Sequence, residues 1–87
     1  MATKWKKYMT KEEYDSLPHM GRVMADYWTD WLPKSCKELQ AEGRLVPFFD
    51  KMGNSLADEQ VDLMRQGLSE DMAWEIVKEK IFLPPER

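Results

Sequence analysis

The chain has 87 residues, 43% of them hydrophobic and 33% charged, with a formal net charge of −3. That length holds one small domain and excludes barrels, doubly wound sheets and multi-domain enzymes. The apolar and aromatic share excludes a disordered chain, and the acidic balance excludes binding of nucleic acid or anionic membrane over the whole surface.

Residues 1–9 show no periodicity and read as a basic aromatic arm ahead of a single helical domain over residues 10–85. Lys4, Lys6, Lys7 and Lys11 give the first eleven residues a charge of +4. Interleaved with Trp5 and Tyr8, they suit phosphate or an acidic partner surface; the competing reading folds these aromatics back on the body. Thr10 followed by Glu13 is a capping box that opens a short helix from Lys11 to Leu17. Pro18 ends it and starts the next.

Met20, Val23, Met24, Tyr27, Trp28, Trp31 and Leu32 then repeat at helical period as one apolar face. This face predicts Trp28 and Trp31 in the core. Asp26 and Asp30 lie one turn apart on the other side as an acidic stripe. Pro33 kinks or restarts the helix, Cys36 and Leu39 turn inward, and Gly43 is placed for a left-handed C-terminal cap.

From Pro47 two readings are open: one bent helix to Gln66, or a break at Gly53-Asn54-Ser55 with a new helix capped by Ser55. Asp58 and Asp62 form a second acidic stripe on either reading. Gly67 stops this segment, and Ser69 caps a last helix whose predicted buried stripe is Met72, Ala73, Ile76, Val77 and Lys80-Ile81. Pro84-Pro85 ends it. No strand pattern or internal repeat is present, so the expected fold is an all-α bundle of three to five helices with no sheet.

Groups for covalent chemistry are sparse. A nucleophile needs a base within about 3 Å, and the only Cys–His candidates, Cys36 and His19, are seventeen positions apart on a helical stretch. The carboxylate pairs Asp26/Asp30, Asp58/Asp62 and Glu75/Glu79 have the spacing of solvated faces and lack a third ligand. The expectation is no enzyme, no cofactor and no metal. Leu63 to Ser69 followed by the last helix resembles a helix-turn-helix corner. Its second helix carries Glu70, Asp71, Glu75 and Glu79 against Lys78 and Lys80, the wrong sign for a phosphate backbone. The lone cysteine fits a reducing cytoplasm, and no apolar run reaches the ~20 residues of a membrane span.

Four tryptophans and seven methionines are more than so thin a domain encloses easily, and both residue types are enriched at protein interfaces. The predicted partner-binding residues are Trp5, Lys6 and Lys7 of the arm, the acidic pairs Asp26, Asp30 and Asp58, Asp62, and Trp74.

The run from Gly21 to Tyr27, then Pro33, Leu39, Gly43 and Leu45, Ala57-Asp58-Glu59, and Trp74 to Glu79, is similar to the TnpV-type small proteins of bacterial transposons. The likeness covers residues 19–83. It implies a helical fold and a mobile-element setting, and it carries no catalytic residues. The first expectation is therefore a phage- or mobile-element-encoded protein that binds a protein partner stoichiometrically and inhibits a host nucleic-acid-handling machine such as a defence nuclease. The alternative is a DNA-binding accessory factor using the arm and the helix-turn-helix-like corner. A homodimer seamed along Met20 to Leu32 is a third.

Overall fold

Each helix boundary has a local cause. In the computed structural model, which describes residues 4–86, the Thr10 hydroxyl accepts from the Glu13 backbone N–H at 3.1 Å. The Glu13 carboxylate accepts from the Thr10 N–H at 2.9 Å. This reciprocal box opens α1 (Lys11–Ser16). Pro18 is the N-cap of α2 (His19–Trp31), so the helix begins one residue later than a Pro18 start implies. Leu32 breaks the helix with φ −127° and ψ 56°, and Pro33 begins α3 (Pro33–Ala41).

Two glycines with positive φ close the helices that follow. Gly43, at φ 69°, lets its own N–H donate to Gln40 O and the Arg44 N–H donate to Leu39 O. Gly67, at φ 102°, repeats the pattern, with its own N–H donating to Met64 O and the Leu68 N–H to Leu63 O. Both are Schellman ends, in which a residue without Cβ adopts the left-handed conformation that satisfies the last carbonyls. Between them α4 (Leu45–Arg65) is one continuous helix. Ser69 then caps α5 (Glu70–Val77), its hydroxyl accepting from Met72 N–H, and a 3-10 turn (Lys78–Lys80) leads into an extended tail. The fold is all-α, five helices with no strand among the described residues.

The break considered at Gly53 does not occur, because Gly53 is a contact point. A Cβ on Gly53 would lie 2.6 Å from Gly21 N and 2.8 Å from Gly21 Cα, and one on Gly21 would lie 2.8 Å from Phe49 O. Helices α2 and α4 thus cross backbone to backbone.

That crossing turns α2. Its buried residues are Met20, Gly21, Met24, Ala25, Trp28 and Thr29, an arc that includes the small residues at positions 21, 25 and 29. The arc is displaced by roughly 70° from the face that the large apolar residues define, at 3.6 residues per turn. Trp28 is in the core as expected. Trp31 is not: it is 51% exposed, carried to the rim by the rotation and by its place at the end of the helix.

Residues 4–9 are not a free arm. A 3-10 turn (Lys4–Lys7) lies against α2, and Trp5 and Met9 are buried in the core. Burying either side chain contributes on the order of 1.5–3 kcal/mol, which gives the segment reason to fold back. Residues 1–3 of the predicted arm lie outside the described residues. Along α5 and the turn after it the buried line is Ala73, Val77 and Ile81, while Met72 and Ile76 face solvent at 55% and 45% exposure and Lys80 is exposed. A helix lying on one neighbour buries a narrow stripe, and the wider one expected from the sequence is not covered.

Gly53→Ala tests the crossing through the sign of its effect. Helix propensity alone predicts a gain of about 1 kcal/mol, whereas the backbone contact at Gly21 predicts a net loss of about 1–3 kcal/mol from overpacking. Urea denaturation of the two proteins reads which prevails.

Candidate functional site

The eight residues singled out in the sequence divide into those the fold uses internally and those it leaves facing outward. Trp5 belongs to the first group, which corrects its assignment as an exposed anchor. Its ring stacks on Tyr14 with centroids 3.9 Å apart and planes 6° from parallel, and the Lys6 ammonium sits 5.8 Å from its centroid. The Tyr14 hydroxyl donates to Asp26 at 2.9 Å, and Lys4 pairs with Asp30 at 3.8 Å. The basic aromatic segment and the first acidic stripe, read separately as two surfaces, cover each other. Neither Asp26 nor Asp30 is a free acidic face.

Burial raises the Asp26 carboxyl above its ordinary range; the Tyr14 hydrogen bond lowers it and the Asp30 charge raises it. Burial, with the hydrogen bond to Asp26 adding to it, pushes the Tyr14 hydroxyl up to about 12. Lys7 remains exposed and lines a hollow with Lys4, Lys37, Tyr8 and Asp30.

Asp58 and Asp62 are exposed on α4, with Arg65 3.6 Å from Asp62. Glu59, between them, holds Lys80 at 2.7 Å and ties α4 to the end of the α5 segment. Trp74 is half-buried, its ring set edge-on against Phe82 at 6.2 Å between centroids.

Phe82 opens the feature that periodicity alone missed. Tyr27 meets it in a T-shaped contact at 5.0 Å, and Trp31 lies 6.4 Å beyond Tyr27. Trp31, Tyr27, Phe82 and Trp74 therefore form one run of rings across α2, the tail and α5, with Trp31 and Phe82 each about half exposed. The signal available in the sequence was the small-residue line Gly21, Ala25, Thr29, which marks where another backbone approaches and so which side of α2 must face out.

The tail that supplies Phe82 is fixed by hydrogen bonds with α2 and α3. Trp28 Nε1 donates to Ile81 O at 2.9 Å, and the Tyr27 hydroxyl donates to Leu83 O at 2.6 Å. Glu86 N donates to Trp31 O at 2.9 Å. The Glu86 carboxylate accepts from Lys34 N at 2.6 Å, from Ser35 N at 3.3 Å and from the Ser35 hydroxyl at 2.6 Å, seating a negative charge on the α3 N-terminus. The Ser35 hydroxyl bond is the largest cause holding its carboxyl below the usual range; burial opposes it, and the Lys34 and Ser35 backbone bonds and the Lys34 charge add to the lowering.

Burial, with the charge of Glu86, pushes the Cys36 thiol up to about 11, so it stays a neutral thiol at physiological pH. Cys36 is fully buried and His19 exposed, and no hydrogen bond joins them among the described residues. Among the described residues no group of three or more His, Cys, Asp or Glu is arranged to hold a metal ion. No described helix is long and apolar enough to cross a membrane. No protein-family profile, curated protein or solved structure matches the chain.

The Tyr14–Asp26 contact gives a signed pH dependence. The folded state holds Tyr14 protonated to about 12 against an ordinary value of 10.0. Its contribution is therefore complete below pH 10 and is lost as pH rises to 12. Denaturation midpoints measured across that window fall less steeply in Tyr14→Phe than in the parent protein.

Proposed function

We propose that this chain is a non-enzymatic interaction protein that acts by stoichiometric docking on a protein partner through the Trp31–Tyr27–Phe82–Trp74 face. The carrying observation is that aromatic run: four rings in sequential contact, two of them with close to half their surface in solvent. Exposed, pre-positioned aromatics supply most of the affinity of protein interfaces, because a rigid ring gives up little rotamer entropy when it is covered. Tyr27 and Phe82 hold each other, and the tail bonds hold Phe82, so the face is organised before any partner arrives.

The charge around it narrows the partner to a basic surface. The body is acidic, and Asp58, Glu70 and Asp71 are exposed. An acidic protein with an apolar face suits the positively charged channel of a machine that handles nucleic acid, and this is the target class we assign. The likeness to transposon-borne small proteins supplies the mobile-element setting of the proposal. A cytoplasmic location accords with a lone, buried and protonated thiol.

One observation favours nucleic acid as the direct ligand: Lys4, Lys7 and Lys37 line one hollow. Asp30 shares that hollow and pairs with Lys4, and the second helix of the α4–α5 corner opens with Glu70 and Asp71. Each carboxylate near a phosphate offsets a lysine, so the docking reading is the stronger one.

Trp31→Ala separates binding from folding. As a rim residue it should change stability by about 1 kcal/mol or less. Loss of an aromatic anchor at the centre of an interface is worth about 2 kcal/mol or more, a weakening of roughly thirtyfold. Capture of partners with tagged protein, followed by light scattering of the isolated complex, reads both stoichiometry and its loss in the variant. Salt-sensitive binding to duplex DNA, unchanged by Trp31→Ala and lost with Lys7→Ala and Lys37→Ala, would replace this reading with the nucleic-acid one.

A further inference from the structure

At the Trp74 end of the aromatic run the first turns of α2 and α5 enclose a cleft of about 270 Å3. That is below the roughly 300–1,000 Å3 of sites for drug-sized ligands; it has room for one side chain.

Its walls differ in kind. On α5, Glu70 and Asp71 precede Trp74 by four and three residues, so both carboxylates share its side of the helix. The Trp74 indole, set at right angles to Phe82, lines the same cleft as the two acids. Across from them, Met20 and Val23 of α2 supply apolar surface, and Gln60 of α4 adds an amide. His19 also lines the cleft. Both carboxylates are exposed, and no Lys or Arg among the described residues pairs with either one.

These groups in one cleft select a cation, and specifically a flat one on an aliphatic stem. A guanidinium stacks on an indole while its fork of N–H donors meets carboxylates, and its methylenes match Met20 and Val23. A compact ammonium satisfies the acids but leaves the indole face poorly used. A divalent ion is the poorer fit, because among the described residues no group of three or more His, Cys, Asp or Glu is arranged to hold one and half of this cleft's wall is apolar.

We propose that this cleft is a receptor for a single arginine side chain presented by the basic partner, with the guanidinium on Trp74 and the charge met by Glu70 and Asp71. The proposal rests on the docking reading above and names the residue type that reading requires of the partner. It also assigns a role to the two acids that disqualify α5 as a DNA-recognition helix: they repel a phosphate backbone and attract the arginine that would otherwise hold one.

The test uses the full chain and three blocked tripeptides, Gly-Arg-Gly, Gly-Lys-Gly and the same sequence with citrulline, the uncharged isostere of arginine. The indole N–H signals in a proton–nitrogen correlation spectrum report each tryptophan, with the Trp74 signal assigned from Trp74→Phe. The arginine peptide should move the Trp74 signal saturably in the millimolar range while leaving that of Trp5 in place. Citrulline, and the paired change Glu70→Gln with Asp71→Asn, should each weaken binding at least tenfold. Both acids are exposed, and an otherwise unchanged spectrum verifies that the variant is folded. A Trp74 signal that does not respond to the arginine peptide, or responds equally to citrulline, overturns the proposal. Tighter binding of the lysine peptide overturns the choice of guanidinium. Because no partner is present in this experiment, its failure removes the arginine receptor alone; the docking reading stands or falls on the effect of Trp31→Ala on the complex.

Discussion

The contact between Gly21 and Gly53 governs the arrangement of the molecule. Two helices approach until the backbone of one meets the backbone of the other, with the Pro18 ring packed against the same point. Such an approach gains close dispersion contact along both helices and demands that the facing residues be small. On α2 the demand is met by Gly21, Ala25 and Thr29, all buried, with the Thr29 hydroxyl satisfied by Ala25 O at 2.7 Å. Once those three face inward, the larger Val23, Tyr27 and Trp31 must turn toward the edge. The aromatic face is thus a geometric result of the crossing, and the surface proposed to bind cannot be moved independently of the core.

The same geometry explains where the local signals of the chain can be trusted. Caps were legible: Thr10 with Glu13, Gly43 and Ser69 each act through groups within a few residues, so their neighbours in sequence determine the outcome. All-α character was legible for the same reason, from helical periodicity and the lack of alternating strands. The continuity of α4 through Gly53 and the outward turn of Trp31 were not. Both depend on a partner helix some thirty positions away, which periodicity within one segment does not contain. Met72 and Ile76 show the related limit: apolar spacing reports which side of a helix is capable of burial, and the width actually covered depends on the neighbour.

Charge behaves in the same way. The sequence displays a basic segment and an acidic stripe as two separate features, each with an apparent external use. In the folded chain Lys4 reaches Asp30, and Trp5 stacks on the tyrosine that hydrogen-bonds Asp26. Features of opposite sign in one small protein have each other as nearest partners, and only the remainder is available outside. Part of that remainder is Glu70 and Asp71, which share a cleft with Trp74, so apolar and electrostatic complementarity coincide at that end of α5.

The tail beyond Ile81 illustrates a different economy of information. Its route over α2 is set by a tryptophan and a tyrosine that reach its main-chain carbonyls at Ile81 and Leu83, and by its Glu86 amide bonding back to Trp31 O. Those bonds recognise peptide groups, which every residue possesses. The segment between the anchors is therefore free to vary in composition while keeping its trajectory, and evolution can redecorate this strip of surface, exchanging Phe82 or Leu83 for other side chains, without redesigning the scaffold that displays it.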